Sequence, residues 1–171
     1  KLNVKRFRIQ SLILCPTREL ADQVSKEIQR LARGIHNIKV LTLCGGMPFG
    51  PQIGSLEHGA HIIVGTPGRI EDHLRKKTLN LENVETLVLD EADRMLDMGF
   101  QDAIDNIIEQ APKERQTLLF SATFPEQIEN IAKRILIAPV NVKVESQHDN
   151  SSIDQYFYKV SNHEDRMLAL R

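Results

Sequence analysis

Short, nearly continuous apolar runs bounded by turn-forming residues recur at 11–15, 39–44, 61–65, 86–90, 116–120 and 141–144. Runs of this length without hydrophobic-polar alternation predict strands buried on both faces. Between them the period changes from that of a strand to that of a helix. Over 18–33, Leu20, Val24, Ile28 and Leu31 share one helical face, and Gly34 can end the helix. A second helix is predicted over 69–77, where Thr66 and Pro67 supply an N-cap and a proline in the first turn. A third over 100–110 carries Ile104, Ile107 and Ile108 and stops before Pro112. A fourth over 126–137 carries Ile128, Ile131, Ile135 and Leu136. Strand and helix alternate throughout, so the pattern predicts an α/β fold: a mostly parallel sheet with helices on both faces and right-handed crossovers.

Length and composition bound this picture. A chain of 171 residues with 41% hydrophobic content suffices for one domain with a proper core and a short appendage. Residues 1–145 read as that domain, and the polar stretch 146–154 reads as a linker. Residues 155–160 and 164–171 read as one strand and the start of one helix, too little to bury a core. With Lys1 as its first residue and a helix cut short at its end, the sequence reads as a piece of a longer protein. No apolar stretch approaches the ~20 residues that cross a bilayer, and residues 1–8 lack the apolar core of a signal peptide; the expectation is a soluble cytoplasmic protein.

The formal net charge of -1 gives no global attraction to nucleic acid, so any such contact must be local. Basic clusters at Lys5, Arg6, Arg8 and at Arg75, Lys76, Lys77 read as solvated surface. Cys15 and Cys44 lie at strand ends without metal-ligand spacing and read as buried, reduced thiols. His58 and His61 flank Gly59 and lack a third ligand, so no metal is expected there.

Candidate chemistry gathers where the strands end. The run 86–89 ends abruptly in Asp90 and Glu91, which is how a nucleotidase presents a magnesium ligand and a general base. The same acids also suit the start of any helix, where the dipole favours them. Ser121-Ala122-Thr123 follows another strand, and Thr123 with Glu126 also spells a capping box. Pro16-Thr17-Arg18 and Thr66-Pro67-Gly68-Arg69 each place a hydroxyl, free amides and an arginine at a helix start, an arrangement that binds phosphate oxygens. Gly45-Gly46 between them allows close approach of a ligand to backbone. In a parallel sheet all of these loops share the carboxyl edge, where ligands gather.

Taken together, the stretch from Asp90 through Ala92-Asp93-Arg94-Met95-Leu96-Asp97-Met98-Gly99-Phe100, with Ser121-Ala122-Thr123, Pro16–Leu20 and Thr66–Arg69, resembles the DEAD-box ATP-dependent RNA helicases of superfamily 2. The resemblance implies a RecA-like three-layer α/β/α domain, followed by the opening of a second such domain. It implies that Asp90 binds Mg²⁺ by way of water and that Glu91 activates the hydrolytic water. Asp93, Ser121 and Thr123 would couple ATP hydrolysis to strand separation. Pro16, Thr17, Arg18, Gly45, Gly46, Thr66, Pro67, Gly68 and Arg69 would grip the RNA backbone without reading bases. Segments 31–40 and 44–52 look most like the bacterial DbpA subgroup, which implies ribosomal RNA remodelling or ribosome assembly.

No G-x-x-x-x-G-K-[ST] occurs in the sequence, so the cradle for ATP phosphates is missing from it. In the family the strand leading to that loop lies between those expected at 116–120 and 141–144, and its absence is expected to leave a gap in the sheet. ATP and Mg²⁺ are then cofactors of an intact protein in which an N-terminal segment and a second RecA-like domain act in cis. This chain by itself is expected neither to bind ATP tightly nor to hydrolyse it. Two readings from other classes remain beside this one: an ATP-independent RNA-binding module, and a different RecA-like nucleotidase, from which Pro16–Leu20 and Thr66–Arg69 discriminate.

Overall fold

The computed structural model describes residues 2–144 together with Tyr156 and Lys159. The expected linker and the strand and helix expected beyond it therefore lie outside the described residues, those two positions excepted. The chain divides into two units, 1–139 and 140–171, and the fold described here is that of the first.

Its frame is a five-stranded sheet in the order β2-β3-β1-β4-β5. The strands are β1 (Ser11–Leu14), β2 (Val40–Leu43), β3 (Ile62–Gly65), β4 (Thr86–Leu89) and β5 (Gln116–Leu119), and every pairing is parallel. The register aligns Leu14 with both Gly65 and Leu89, and Leu89 with Leu119, so the strands finish level with one another.

Side chains alternate across the sheet and build two cores. On one face Leu12, Leu14, Ile63, Leu87 and Leu89 pack with Ile70, Met95, Ile104, Ile107, Ile128 and Ile131 from helices α3 (Pro67–Arg75), α4 (Ala92–Asp97), α5 (Gln101–Gln110) and α6 (Glu126–Ile135). On the other, Ile13, Cys15 and Val64 pack under Ala21, Val24 and Ile28 of α1 (Arg18–Leu31). Each fully buried Leu or Ile contributes about 1.5–3 kcal/mol. The layered α/β architecture expected from the pattern is thus present.

The helix ends follow local chemistry. The Thr17 hydroxyl caps α1 by accepting the Leu20 N–H at 3.2 Å, and α1 tightens into a 3-10 turn at Ala32–Gly34 rather than running regularly to 33. Thr66 and Pro67 start α3, as expected. A helix the pattern did not predict, α2 (Phe49–Glu57), follows β2. Its Gly50, Pro51 and Gly54 disguise it, but Pro51 falls in the first turn, where no intrahelical N–H is needed.

Two expectations require correction. Residues 141–144 form no strand, and Val142 and Val144 are 81% and 85% exposed, because an extended segment becomes a strand only by pairing and no ladder reaches it among the described residues. Nor is β5 buried on both faces: Leu119 packs on the core, but Leu118 is 37% exposed and Phe120 54%. Among the described residues it pairs only with β4, and the predicted gap accordingly takes the form of an open edge at β5.

Candidate functional site

Because all five strands are parallel and end level, the loops after β1, β2, β3, β4 and β5 share one edge of the sheet. The Cys15 N–H donates to Gly65 O, Thr66 N–H to Leu43 O, Asp90 N–H to Leu14 O and Phe120 N–H to Leu89 O, which carries the ladder into the loops themselves.

The carboxylates sit after β4. Asp90 is half-buried, and burial pushes its carboxyl above the ordinary value, opposed by a hydrogen bond from the Glu91 backbone and reinforced by the Glu91 charge. Glu91 takes a left-handed backbone, φ 50° and ψ 54°, at the N-cap of α4. Its Oε2 accepts from Arg94 Nη1 at 3.2 Å. A partly desolvated carboxylate beside a second one suits an oxygen-seeking dication. Magnesium typically takes one or two carboxylates and completes its shell with water and phosphate oxygens. No cluster of three or more potential ligand side chains occurs among the described residues, so protein groups alone do not make a closed cage.

Asp93, Ser121 and Thr123 come together. Asp93 Oδ2 accepts from both the Thr123 N–H at 2.8 Å and the Thr123 hydroxyl at 2.7 Å. Ser121 Oγ accepts the Asp93 N–H at 3.3 Å and donates to Thr123 O at 2.7 Å. Burial acts to raise the Asp93 carboxyl, but the Thr123 and Ser121 hydrogen bonds outweigh it and hold it below its ordinary value. The alternative capping box does not form: α6 starts at Glu126 after Pro125 with no side-chain cap, and Thr123 turns to Asp93 instead.

On the other side of the same edge, Arg18 and Arg69 close on the Gly45-Gly46 turn from two helix starts. Gly46 has φ 73°, and a Cβ there would collide with Arg18 Nη1. Arg69 Nη1 donates to Met47 O and to Gln52 Oε1, both at 3.0 Å. Pro16 and Thr66 are buried beneath, and Gly68 faces the Phe100 ring, whose nearest atom would lie 3.8 Å from an added Cβ. The structure thus assembles two groups: Asp90, Glu91, Asp93, Ser121 and Thr123 after β4 and β5, and the arginines with their glycine turn after β1, β2 and β3.

Gln52 and His73 escaped the sequence reading. His73 is fully buried, with Nε2 2.9 Å from Gln52 Oε1 and Nδ1 2.8 Å from Thr78 Oγ1. Phe49 stacks on its ring at 4.2 Å. Burial, then the Arg69 charge, lowers His73 to about 4. The available signal was the spacing of Arg69 and His73 on one face of α3.

A family model described as DEAD/DEAH box helicase matches residues 1–131. The chain is 56% identical over 162 residues to the ATP-dependent RNA helicase DbpA of Escherichia coli (strain K12), a match covering 95% of this chain and 35% of that protein. It is 47% identical over 165 residues to the ATP-dependent RNA helicase CshA of Listeria monocytogenes, covering 96% of this chain and 32% of the relative. The crystal structure of a DEAD box protein from the hyperthermophile Methanococcus jannaschii superposes with a TM-score of 0.80 at 43% identity, covering 99% of this chain and 45% of that one. The chain spans about a third of the length of the curated relatives it matches.

Proposed function

The chain belongs to the DEAD/DEAH box helicase family, and from that premise we propose that it is the part of an ATP-dependent RNA helicase that supplies the hydrolytic carboxylates and half of the RNA grip. The observation that carries the proposal is the Asp93–Thr123 bridge, which ties the carboxylate loop after β4 to the loop after β5 with two hydrogen bonds at 2.8 and 2.7 Å. A change at Asp90 or Glu91 reaches β5 through a rigid link of this kind. Asp90 would hold Mg²⁺ through water, and bound Mg²⁺ supplies charge neutralisation to a transferring phosphoryl group. Glu91 orients and deprotonates the attacking water. Asp93, Ser121 and Thr123 carry the coupling.

The RNA contacts fall to the N-termini of α1 and α3 and the turn between them. Thr17, Arg18, Gly45, Gly46, Thr66, Gly68 and Arg69 present amides, hydroxyls and cations to sugar and phosphate, with Pro16 and Pro67 fixing the backbone. Such contacts carry no base sequence. The likeness to the DbpA subgroup extends the proposal to ribosomal RNA in the cytoplasm, with the remaining helicase segments acting in cis.

With no phosphate-cradling loop in its sequence, this polypeptide alone is expected to bind single-stranded RNA weakly and to hydrolyse ATP no faster than background. Fluorescence anisotropy with labelled single-stranded RNA at low salt, beside a phosphate-release assay, tests both halves. In the full-length protein, Glu91→Gln is expected to abolish RNA-stimulated phosphate release while leaving RNA binding intact. Unchanged turnover in that variant would remove Glu91 from the chemistry.

A further inference from the structure

Burying a histidine, a glutamine and a share of an arginine in one small region costs more than filling it with apolar side chains, unless every polar atom is satisfied. Here the network is closed. Gln52 Nε2 donates to Cys44 O at 3.1 Å, which fixes the orientation of the amide and leaves Oε1 as acceptor. That oxygen lies 3.0 Å from Arg69 Nη1 and 2.9 Å from His73 Nε2. The shared acceptor requires a proton on His73 Nε2, and Thr78 Oγ1, 2.8 Å from Nδ1 and 3.1 Å from His73 O, closes the other side of the ring. The same Arg69 Nη1 reaches Met47 O at 3.0 Å. One side-chain amide thereby connects the end of β2 (at Cys44), the Gly45–Met47 turn (through Arg69) and the last turn of α3 (at His73). Phe49 closes the assembly: its ring lies on His73, with Arg69 Cζ 5.3 Å and Lys76 Nζ 3.9 Å from its centroid.

We propose that Gln52, with His73 behind it, is the positioning residue of the RNA grip, locking Arg69 and the Gly45-Gly46 turn into one preformed surface. The proposal rests on the RNA-binding reading of that edge and adds a regulator of its affinity outside the contact residues. Arg69 spends Nη1 on Met47 O and Gln52 Oε1, so what it offers a phosphate is its remaining N–H groups, held at a fixed angle. A loop with a glycine at φ 73° loses conformational freedom when it grips a ligand, and pinning it beforehand removes part of that cost.

The test uses the full-length protein that carries this chain. Gln52→Ala releases both Arg69 and His73, whereas Gln52→Glu keeps an acceptor for both but sets a carboxylate oxygen against Cys44 O where the amide donated. Gln52→Ala is expected to weaken single-stranded RNA binding about tenfold and to raise the RNA concentration for half-maximal ATPase by the same factor, with kcat unchanged. Gln52→Glu is expected to recover part of the affinity, through the acceptor it restores to Arg69 and His73. A folded Gln52→Ala protein that binds RNA as the wild type does, whatever its melting temperature, overturns the proposal. So does failure of Gln52→Glu to improve on Gln52→Ala. If neither variant folds, nitrogen-15 spectra of the wild type decide: saturating RNA must shift the His73 Nε2–H and Gln52 amide resonances, and unmoved resonances refute the coupling. Absence of RNA binding by the wild type itself would instead bring down the functional reading on which this stands.

Discussion

Glu91 holds φ 50° where a glycine would be at ease, a conformation that costs a non-glycine residue of order 1 kcal/mol or more. It is retained because its neighbours are fixed: Asp90 N–H on Leu14 O at 3.0 Å and Ala92 N–H on Phe120 O at 2.9 Å leave the intervening backbone no other path. The strain falls on the residue proposed to handle the hydrolytic water. Beneath it, Cys15 is fully buried, and burial first, then the Asp90 charge, pushes its thiol up to about 12. Thiolate is the reactive form, so in the folded chain at pH 8 Cys15 should resist an aromatic disulfide reagent and react only as fast as the protein unfolds. Absorbance at equal reagent concentration with and without urea checks this, and equal rates in the two conditions would contradict it. The inert thiols were legible in the sequence, since an apolar strand end leaves a cysteine little choice. So were Asp90, Asp93, Ser121 and Thr123, because they lie in contiguous runs. Gln52 and His73 were not, since single polar residues on amphipathic helices look solvated until tertiary packing covers them.

Among elements, β5 departs furthest from its sequence pattern. Its run of Leu118, Leu119 and Phe120 reads as a strand covered on both sides, but a run of apolar letters cannot say whether a helix is present to cover each side. α1 packs over the β1 and β3 side chains on its face, and Val88, next along that face on β4, is only half-buried. Helix α2 failed in the opposite direction: glycines and a proline hid an element that tertiary contacts stabilise. The consequence for β5 is a strand with one backbone side unpaired among the described residues and two exposed large apolar side chains, a template for pairing with another chain. Replacing Leu118 with Thr and Phe120 with Lys should therefore lower self-association of the isolated polypeptide. Light scattering over a concentration series should show a smaller mean radius. Stability should change by no more than about 0.5 kcal/mol per site, as for surface positions. An unchanged radius would place the association elsewhere.

At the scale of the whole unit 1–139, the net charge of the chain contributes little, and pH sensitivity concentrates in a few groups. His73 dominates. It is packed against Gln52 and Phe49, with Thr78 at Nδ1 and the charges of Arg69, Asp72 and Lys76 around it. Burial and then Arg69 lower it from 6.5 to about 4, with Asp72 opposing them. The unfolded chain takes up a proton as pH falls through 6.5, whereas the folded one does so only near 4, so between those values the unfolded state binds more protons. Stability from a neutral His73 is then complete above about 6.5 and is lost progressively down to about 4, by up to roughly 3 kcal/mol. Asp93, held below its ordinary 3.8, acts in the same direction but only below that value, so the two contributions separate along the pH axis. Urea denaturation at pH 7, 6, 5 and 4 should give midpoints that fall steeply for the wild type. For His73→Leu, which has no proton to take up, the midpoints should stay flatter down to pH 5. Parallel curves for the two proteins would mean that His73 is protonated in the fold, and the shared acceptor at Gln52 could then no longer be assigned to a neutral ring.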